Sequence, residues 1–470
     1  MNKQTFNLSE RRRTLLLAAA ALGMGMLPFA ARPDDDEKGA SKSSRKSGST
    51  SGSISVPETG PTGKVVVIGG GMAGATAAKY LRLWGGVNVS VTLVEPDTAY
   101  TSNIMSNLVL NGSRTVTTLQ YSLAALTTKY GVVRKQAALL SIDPIRKTVT
   151  LSDQSTLSYD RLVLAPGVEF DNAYGLTQTD YDTSTPHAWR AGAQTTLLQK
   201  QLASVGNGGV FVMTIPKAPY RCPPGPYERA CLVADYLKTQ KGPDAKVYVL
   251  DQNLSIQAEV DNFTKAFNVI HAGVINYQPG VTGIQIDPRT KGVSYTDQMG
   301  VARVIQAQTI NPIPSHRATG SSAGGWMAAA GLNNGTDGRW AKVNVLSYES
   351  TAVPGIHIIG DAAQCGMPKA GHVGNQEAKI CADAIVRMLS QQQPDPAPVA
   401  NSACYSPITA NTASWLTAVY QYDPVTGSMK VAANGGLMAG AAPTEAGSIS
   451  NKNMSDMNTW FKALMGDSFA

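Results

Sequence analysis

The chain has 470 residues, 43% of them hydrophobic, with a net charge of +7, 45 glycines and 26 prolines. That is enough apolar material for two to four packed domains of ~100–200 residues each. Part of the positive excess sits in the first 46 residues, and no Lys/Arg run interleaved with aromatics occurs later, which argues against a nucleic-acid surface. The five histidines show no metal-ligand spacing and no C-x-x-C-H occurs, so neither a metal site nor an attached haem is expected.

The chain opens on Ser9-Glu10-Arg11-Arg12-Arg13-Thr14, then the apolar run Leu15 to Leu22, then small residues including Ala30 and Ala31. A positive region, a short apolar region and small residues form an export signal, and paired arginines suggest the twin-arginine route, a receptor-read address. The run is shorter than the ~20 residues that span a bilayer. Residues 1–31 are therefore expected to be a signal peptide, and the processed protein is not expected to span a membrane. Residues 32–62 are Asp-, Ser-, Gly- and Lys-rich and read as a disordered linker. The cysteines are Cys222, Cys231, Cys365, Cys381 and Cys404; an odd count leaves at least one thiol unpaired in a monomer, with connectivity open.

The first ordered element is the β-branched run Lys64 to Ile68, a buried parallel strand by composition. Gly69-Gly70-Gly71-Met72-Ala73-Gly74 follows, then a helix-forming stretch, then the strand Val89 to Val94 ending at Glu95. This is a complete dinucleotide fingerprint. Gly69 permits the tight turn, Gly71 lets a pyrophosphate approach, and Gly74 lets the helix pack on the strand. The helix N-terminus faces the phosphates, and Glu95 is placed to accept from ribose hydroxyls.

Two later segments point to FAD. Tyr159 to Gly167, with Ala165 and Gly167 at its turn, looks like the strand by which two-domain flavoproteins leave the FAD domain. Gly355 to Ala363 looks like their second FAD motif, with Gly360-Asp361 at the strand end and Asp361 set to accept from a ribityl hydroxyl. A helix from about Gly371 to Met388 would bring its positive end beneath the flavin. Between these segments lies a second βαβ unit: a strand at 209–215, a helix at about 228–238 and a strand at 246–251. Its turn, Pro216 to Tyr227, carries five prolines and no glycine triplet. Proline removes N–H donors, so a nicotinamide nucleotide is not expected there.

From about Gly63 onward the chain resembles the flavoprotein subunit of flavocytochrome c sulfide dehydrogenase, within the glutathione reductase-like group. The resemblance rests on Arg221-Cys222-Pro223-Pro224-Gly225-Pro226-Tyr227-Glu228-Arg229-Ala230, on Pro186 to Gly192, on Met367-Pro368-Lys369 and on Ala403-Cys404-Tyr405-Ser406. It implies a periplasmic enzyme that takes electrons from sulfide or a related small sulfur compound through FAD to a c-type cytochrome subunit. It also implies a redox-active disulfide over a covalently held flavin. Asn103 falls where the family has its flavin-linking cysteine, so FAD is expected to be non-covalent. Cys222 matches one half of the family's disulfide, and alignment through Tyr348-Glu349-Ser350 puts Ala341 at the other half. Cys231 and Cys365 are then substitute candidates, and Cys404 matches a tail cysteine without an evident partner.

The resulting expectation is an α/β fold with two Rossmann-like dinucleotide-binding domains and a smaller C-terminal α+β domain. The FAD domain is discontinuous, at 63–175 and 317–390; the second domain spans 176–316 and the C-terminal domain 391–470, with 432–447 read as loop. Cys222, Glu228 and Cys365 are the catalytic candidates, with Glu228 as a base for the sulfur substrate's proton. Gly69, Gly71, Gly74, Glu95, Asn103, Ala165, Gly167, Gly360, Asp361 and Lys369 are the cofactor-binding candidates. Cys381 reads as core. Two alternatives remain: an FAD-binding electron-transfer or assembly subunit, motivated by Asn103 in place of the flavin-linking cysteine and by Ala341, or an oxidoreductase for another small substrate, which Ala341 also favours.

Overall fold

The computed structural model describes residues 55–433, 436–438 and 440–470; the expected export signal and most of the expected linker lie outside the described residues. Strand β1 (Gly63–Ile68), helix α1 (Met72–Gly85) and strand β2 (Val89–Val94) form a parallel βαβ unit, in register from Gly63 opposite Val89 to Ile68 opposite Val94. Strand β3 (Val133–Lys135) extends the sheet beyond β2, and β4 (Arg161–Leu164) flanks β1 on the other side. Val65 and Val67 are buried on opposite sides of the pleat from Val66 and Ile68, which are buried too. Continuous β-branched composition follows from that, because both faces of this sheet are covered.

The chain then leaves for a second unit. Strand β5 (Val210–Ile215) is followed by helix α2 (Gly225–Gln240), strand β6 (Lys246–Asp251), helix α3 (Val260–Lys265), strand β7 (Ile275–Gln278) and strand β8 (Thr309–Pro312). They form a four-stranded parallel sheet in the order β7-β6-β5-β8. A three-stranded antiparallel sheet, residues 282–306, is inserted before β8.

The chain returns to the first sheet through β9 (Ala341–Asn344), β10 (Glu349–Ser350), β11 (Ile356–Ile358) and β12 (Ala363–Gln364). These complete an eight-stranded sheet, β12-β9-β10-β11-β4-β1-β2-β3. Helix α4 (Gly371–Leu389) packs along α1. The two helices approach closely where a Cβ on Gly374 would lie 3.3 Å from Ala73.

The C-terminal region is an antiparallel sheet of β13 (Val399–Pro407), β14 (Ala413–Asp423), β15 (Ser428–Ala433) and β16 (Gly436–Leu437), with β17 (Thr444–Glu445) pairing to β14. The 432–447 stretch thus carries β16 and β17, besides the end of β15, where loop was expected: the neighbouring strands supply partners that local composition does not reveal. Helix α5 (Asn451–Phe469) closes the chain and lies across α1 and β14. Asp467 anchors it, accepting from Tyr80 Oη at 2.6 Å and Asn375 Nδ2 at 2.8 Å and pairing with Lys379 Nζ at 2.7 Å. Among the described residues no helix is long and apolar enough to cross a membrane, and no cluster of His, Cys, Asp and Glu is arranged to hold a metal ion.

Candidate active site

A cavity of about 540 Å3 runs from the β1–α1 turn to the N-terminus of α4 and on to the C-terminal sheet, within the size range of cofactor sites (~300–1,000 Å3). Its first end is bare backbone. A Cβ on Gly74 would fall 1.8 Å from the Gly69 carbonyl oxygen, and one on Gly69 (φ +99°) 2.3 Å from the Ala165 carbonyl oxygen. Gly71 is different: a Cβ there would meet nothing closer than Tyr100 at 3.8 Å. Its backbone therefore faces open cavity. No side chain caps α1, so its first N–H groups are free for an anion. Glu95 closes this end, accepting from Gly70 N at 2.6 Å and Asp97 N at 3.0 Å.

The middle of the cavity is lined by Ala165, Gly167, Gly360 and Asp361. Burial holds the Asp361 carboxyl above the usual range, against the pull of Arg221 and Lys369. Arg221 Nη1 lies 3.9 Å from Asp361 Oδ2, while Arg221 Nη2 is buried with no partner. An orphaned guanidinium nitrogen beside a buried carboxylate is a pair of polar groups that a ligand would satisfy. α4 has no side-chain cap, and Ala370, Gly371 and His372 at its start face the same cavity. A glycine cradle, a buried carboxylate and two uncapped helix starts along one elongated cavity fit a dinucleotide flavin.

The far end carries thiols. Cys222 sits before α2 in the left-handed region (φ +58°), where a non-glycine residue is strained. Its N–H donates to the Lys369 carbonyl at 2.7 Å and its carbonyl accepts from Gly225 N at 2.9 Å. Gly225 is required: a Cβ there would lie 2.8 Å from Cys222 Sγ. Burial pushes the Cys222 thiol up to about 12, with Glu228 adding to the push and Arg221 opposing it.

Glu228, one helical turn into α2, lines the cavity and accepts from Asn107 Nδ2 at 2.9 Å. Burial raises its carboxyl to about 8 despite that hydrogen bond. Asn107 is held in turn by Arg229 Nε at 2.8 Å. Arg229 is fully buried and also donates to the His187 and Ala188 carbonyls and to Asn311 Oδ1.

Cys404 on β13 lines the same cavity, and Cys222 is among the groups that push its thiol up, after burial itself. Its Sγ lies 3.6 Å from Nε2 and 3.8 Å from Nδ1 of His372. Burial lowers His372 to about 4, so its imidazole is neutral at physiological pH. The cavity therefore combines two thiols, a carboxyl titrating near 8 and a neutral imidazole beside the flavin cradle.

Three family models match the chain. One described as the central part of the sulfide dehydrogenase [flavocytochrome c] flavoprotein chain covers residues 195–314, and one described as flavocytochrome c sulphide dehydrogenase, flavin-binding, covers 396–469. A pyridine nucleotide-disulphide oxidoreductase model covers 63–210. A curated sulfide dehydrogenase [flavocytochrome c] flavoprotein chain from Chlorobaculum thiosulfatiphilum is 54% identical over 48 residues, 10% of this chain and 98% of that sequence. The chain belongs to this flavoprotein family. It is a flavin-dependent oxidoreductase and its cofactor is FAD. Ferroptosis suppressor protein 1 of Taeniopygia guttata is 35% identical over 106 residues, 22% of this chain and 26% of that protein, so the match spans about a quarter of its length. The sulfide:quinone oxidoreductase structure from Aquifex aeolicus matches with a TM-score of 0.66 at 19% identity, covering 86% of this chain and 92% of that one; it shares the fold.

The structure brings Gly69, Gly71, Gly74, Glu95, Asn103, Ala165, Gly167, Cys222, Glu228, Gly360 and Asp361 of this flavoprotein to one region; all except Gly74, which packs behind the turn, line the cavity. Asn103 is fixed there by accepting from Ala191 N at 2.8 Å. Four expectations need correction. Lys369 does not line the cavity: its Nζ donates to the Ala363 carbonyl at 2.7 Å and lies 3.8 Å over the Trp340 ring. Cys365 is absent from the lining too; its thiol is 3.1 Å from Glu377 Oε1, behind the Gly360 turn whose N–H the same carboxyl accepts. Cys231 is fully buried in the core of the second domain. Ala341 is fully buried in β9, in register with Ala363, and does not line the cavity that Cys222 lines. The residue that shares the cavity with Cys222 is Cys404, which alignment to the neighbourhood of Tyr348 could not find because it lies on a different sheet. His372, the one histidine expected near the flavin, lines the cavity, whereas Asn107 and Arg229 were missed as site residues. Arg229 stood in the quoted Arg221–Ala230 segment, whereas Asn107 carried no sequence signal.

Proposed function

We propose that this flavoprotein oxidises hydrogen sulfide or a related small sulfur nucleophile, working in the periplasm and passing electrons to a c-type cytochrome subunit. One observation carries the reading: Cys222 and Cys404 line the cavity that also holds the Gly71 and Asp361 cradle and Glu228. FAD, when bound, supplies an acceptor for two electrons that can release them singly. The two thiols are unbonded in the structure, and a disulfide between them is the proposed oxidised form. In the oxidised form sulfide attacks one sulfur of the Cys222–Cys404 disulfide: one S–S bond breaks, a persulfide S–S bond forms, and the other cysteine leaves as thiolate. Glu228 takes the proton of the attacking SH group, a task suited to a carboxyl that titrates near working pH. The neutral imidazole of His372 lies beside Cys404 and can hydrogen-bond its sulfur.

The cytochrome partner and the periplasmic setting are supported by the family, whose name is that of a flavocytochrome c chain, and by the twin-arginine pattern of the first residues. A second thiol in the cavity answers the half of the motive for a non-catalytic electron-transfer or assembly subunit that rested on Ala341; the half that rested on Asn103 stands. Anaerobic titration of the holoenzyme with sulfide tests the proposal. Bleaching of the flavin absorbance that disappears in both Cys222→Ser and Cys404→Ser is the expected result. A flavin that dithionite reduces and sulfide does not would overturn it.

A further inference from the structure

Asn107 belongs to the flavin domain, whereas Cys222 and Glu228 belong to the second domain. It opens a four-residue helix, Asn107–Leu110, that packs against α2. Leu108 and Val109 of that helix are buried in the core of the first domain, and Leu110 in the core of the second. A segment seated in two close-packed cores holds its side chains in fixed directions.

The side chain of Asn107 is buried, and its hydrogen bonds all cross to the second domain. Nδ2 donates to Glu228 Oε1 at 2.9 Å and to the Gly225 carbonyl at 3.2 Å, while Oδ1 accepts from Arg229 Nε at 2.8 Å. The direction of this amide is not free. A guanidinium has donors only. Arg229 is itself bolted in place: its other nitrogens donate to the His187 and Ala188 carbonyls and to Asn311 Oδ1, and it lies 4.7 Å over the Trp189 ring. With the amide reversed, N–H would meet N–H at Arg229 and oxygen would meet carboxyl oxygen at Glu228. Asn107 can therefore only donate to Glu228. The same amide ties the thiol turn, because Gly225 N donates to the Cys222 carbonyl at 2.9 Å.

This bond occupies Oε1 of Glu228. Among the described residues no donor reaches Oε2, and the side chain lines the cavity. The charged and titratable groups coupled to Glu228 are Arg229 of its own helix, Glu259 before α3, Cys222, Cys231, and Cys404 of β13. Among the described residues none of these donates a hydrogen bond to its carboxyl.

We propose that Asn107 is a positioning residue for the sulfur reaction, its amide locked by Arg229 so that Glu228 takes the substrate's proton on Oε2. The inference rests on the sulfide reading for the origin of that proton. The S–H bond breaks, an O–H bond forms at Oε2, and the electron pair stays on sulfur, which is then the nucleophile. Asn107 acts through Glu228: a donor on Oε1 favours the carboxylate that accepts, and offsets part of the burial that raises Glu228 to about 8.

The test uses the FAD-loaded protein with Asn107→Leu, which keeps the shape of the side chain and removes the donor. Infrared difference spectra between acid and alkaline pH, without sulfide, follow the protonated-carboxyl band of Glu228, assigned by its loss in Glu228→Gln. In Asn107→Leu the band should titrate at a pH higher by about one, since a hydrogen bond to a charged acceptor has gone. Stopped-flow mixing with sulfide should show the rising limb of flavin bleaching moved up by the same interval, so that bleaching at pH 7 slows by roughly tenfold. A packing role alone would lower stability and leave both titrations in place. A Glu228 band or a rising limb that stays at the wild-type pH overturns the proposal. If wild-type flavin fails to bleach with sulfide, the sulfide reading falls, and the infrared band alone decides the link between Asn107 and Glu228. Should Asn107→Leu fail to fold, Asn107→Asp replaces it. That variant still accepts from Arg229 but sets an acceptor against Oε1, so the Glu228 band, identified by its loss when Glu228→Gln is added, must move to higher pH; a band that stays overturns the proposal.

Discussion

The molecule contains two strand–turn–helix units of the same topology with opposite turns. Between β1 and α1 the turn is stripped to glycine, so backbone reaches the cavity: Gly71 faces open space and Gly74 touches the Gly69 carbonyl. Between β5 and α2 the same position is filled by Pro216 to Tyr227, and the turn presents Cys222 and, through α2, Glu228. The first turn is built to receive a ligand's phosphates, the second to deliver side chains to that ligand's far end. A shared fold therefore says little about what a turn binds. Turn chemistry decides whether the helix start meets an anion or is covered by protein.

The comparison can be broken most severely at Gly74. Gly74→Ala puts a Cβ 1.8 Å from a backbone oxygen that cannot yield, so FAD content and the melting transition should both collapse. Gly71→Ala has room for its Cβ against protein and takes space only from the cavity. The apoprotein should melt as wild type while the flavin-to-protein ratio falls, and equal loss of stability in both variants would show that the turn is only structural.

The second turn is tested by Glu228→Gln. Turnover with sulfide should fall by ~10²–10⁴-fold above pH 8, where the wild-type carboxylate is free to accept a proton, and the rising limb near pH 8 should disappear. Stability should move the other way. The folded pKa of Glu228 is raised from 4.5 to about 8, so its neutral form is favoured by folding. That contribution is complete below about pH 4.5 and is lost as pH rises through about 8. Glu228→Gln should consequently melt higher than wild type at pH 9.5, and the advantage should shrink as the pH is lowered.

A smaller effect is expected away from both turns. Asp467→Ala strands Lys379, whose side chain is 2% exposed, and leaving a buried charge unpaired costs ~3–5 kcal/mol. Denaturant unfolding should register that loss with the sulfide-to-flavin rate little changed. The smallest effect is expected for Cys365→Ser. Its thiol faces Glu377 rather than the cavity, so the rate of flavin bleaching by sulfide should stay within about twofold of wild type, well under the change that one lost interaction of 1.4 kcal/mol would give.

Much of the FAD half was legible because it depends on local rules. A β-branched run, three glycines at fixed spacing, a helix and a terminal Glu95 lie within about thirty residues, and each has a backbone reason to be where it is. Cys222 and Glu228 were legible for a similar reason: they share one proline-rich turn and the helix after it. Lys369 and Cys365 were misread because nearness in sequence to Gly360-Asp361 does not fix direction. The chain turns at Gly366 (φ +91°), and both side chains point behind the cradle.

The sequence by itself determined the two α/β units, the flavin cradle and the thiol turn, since strand period, glycine conformational freedom and proline's missing donor act over a few residues. Only the tertiary structure decided which thiol shares the cavity with Cys222, because Cys404 arrives on a separate sheet some 180 residues later. It also decided that Asn107 holds Glu228 and that Arg229 holds Asn107 in turn. Those contacts join segments far apart in the chain, and their titration is set by burial, which exists only once the domains have closed on one another.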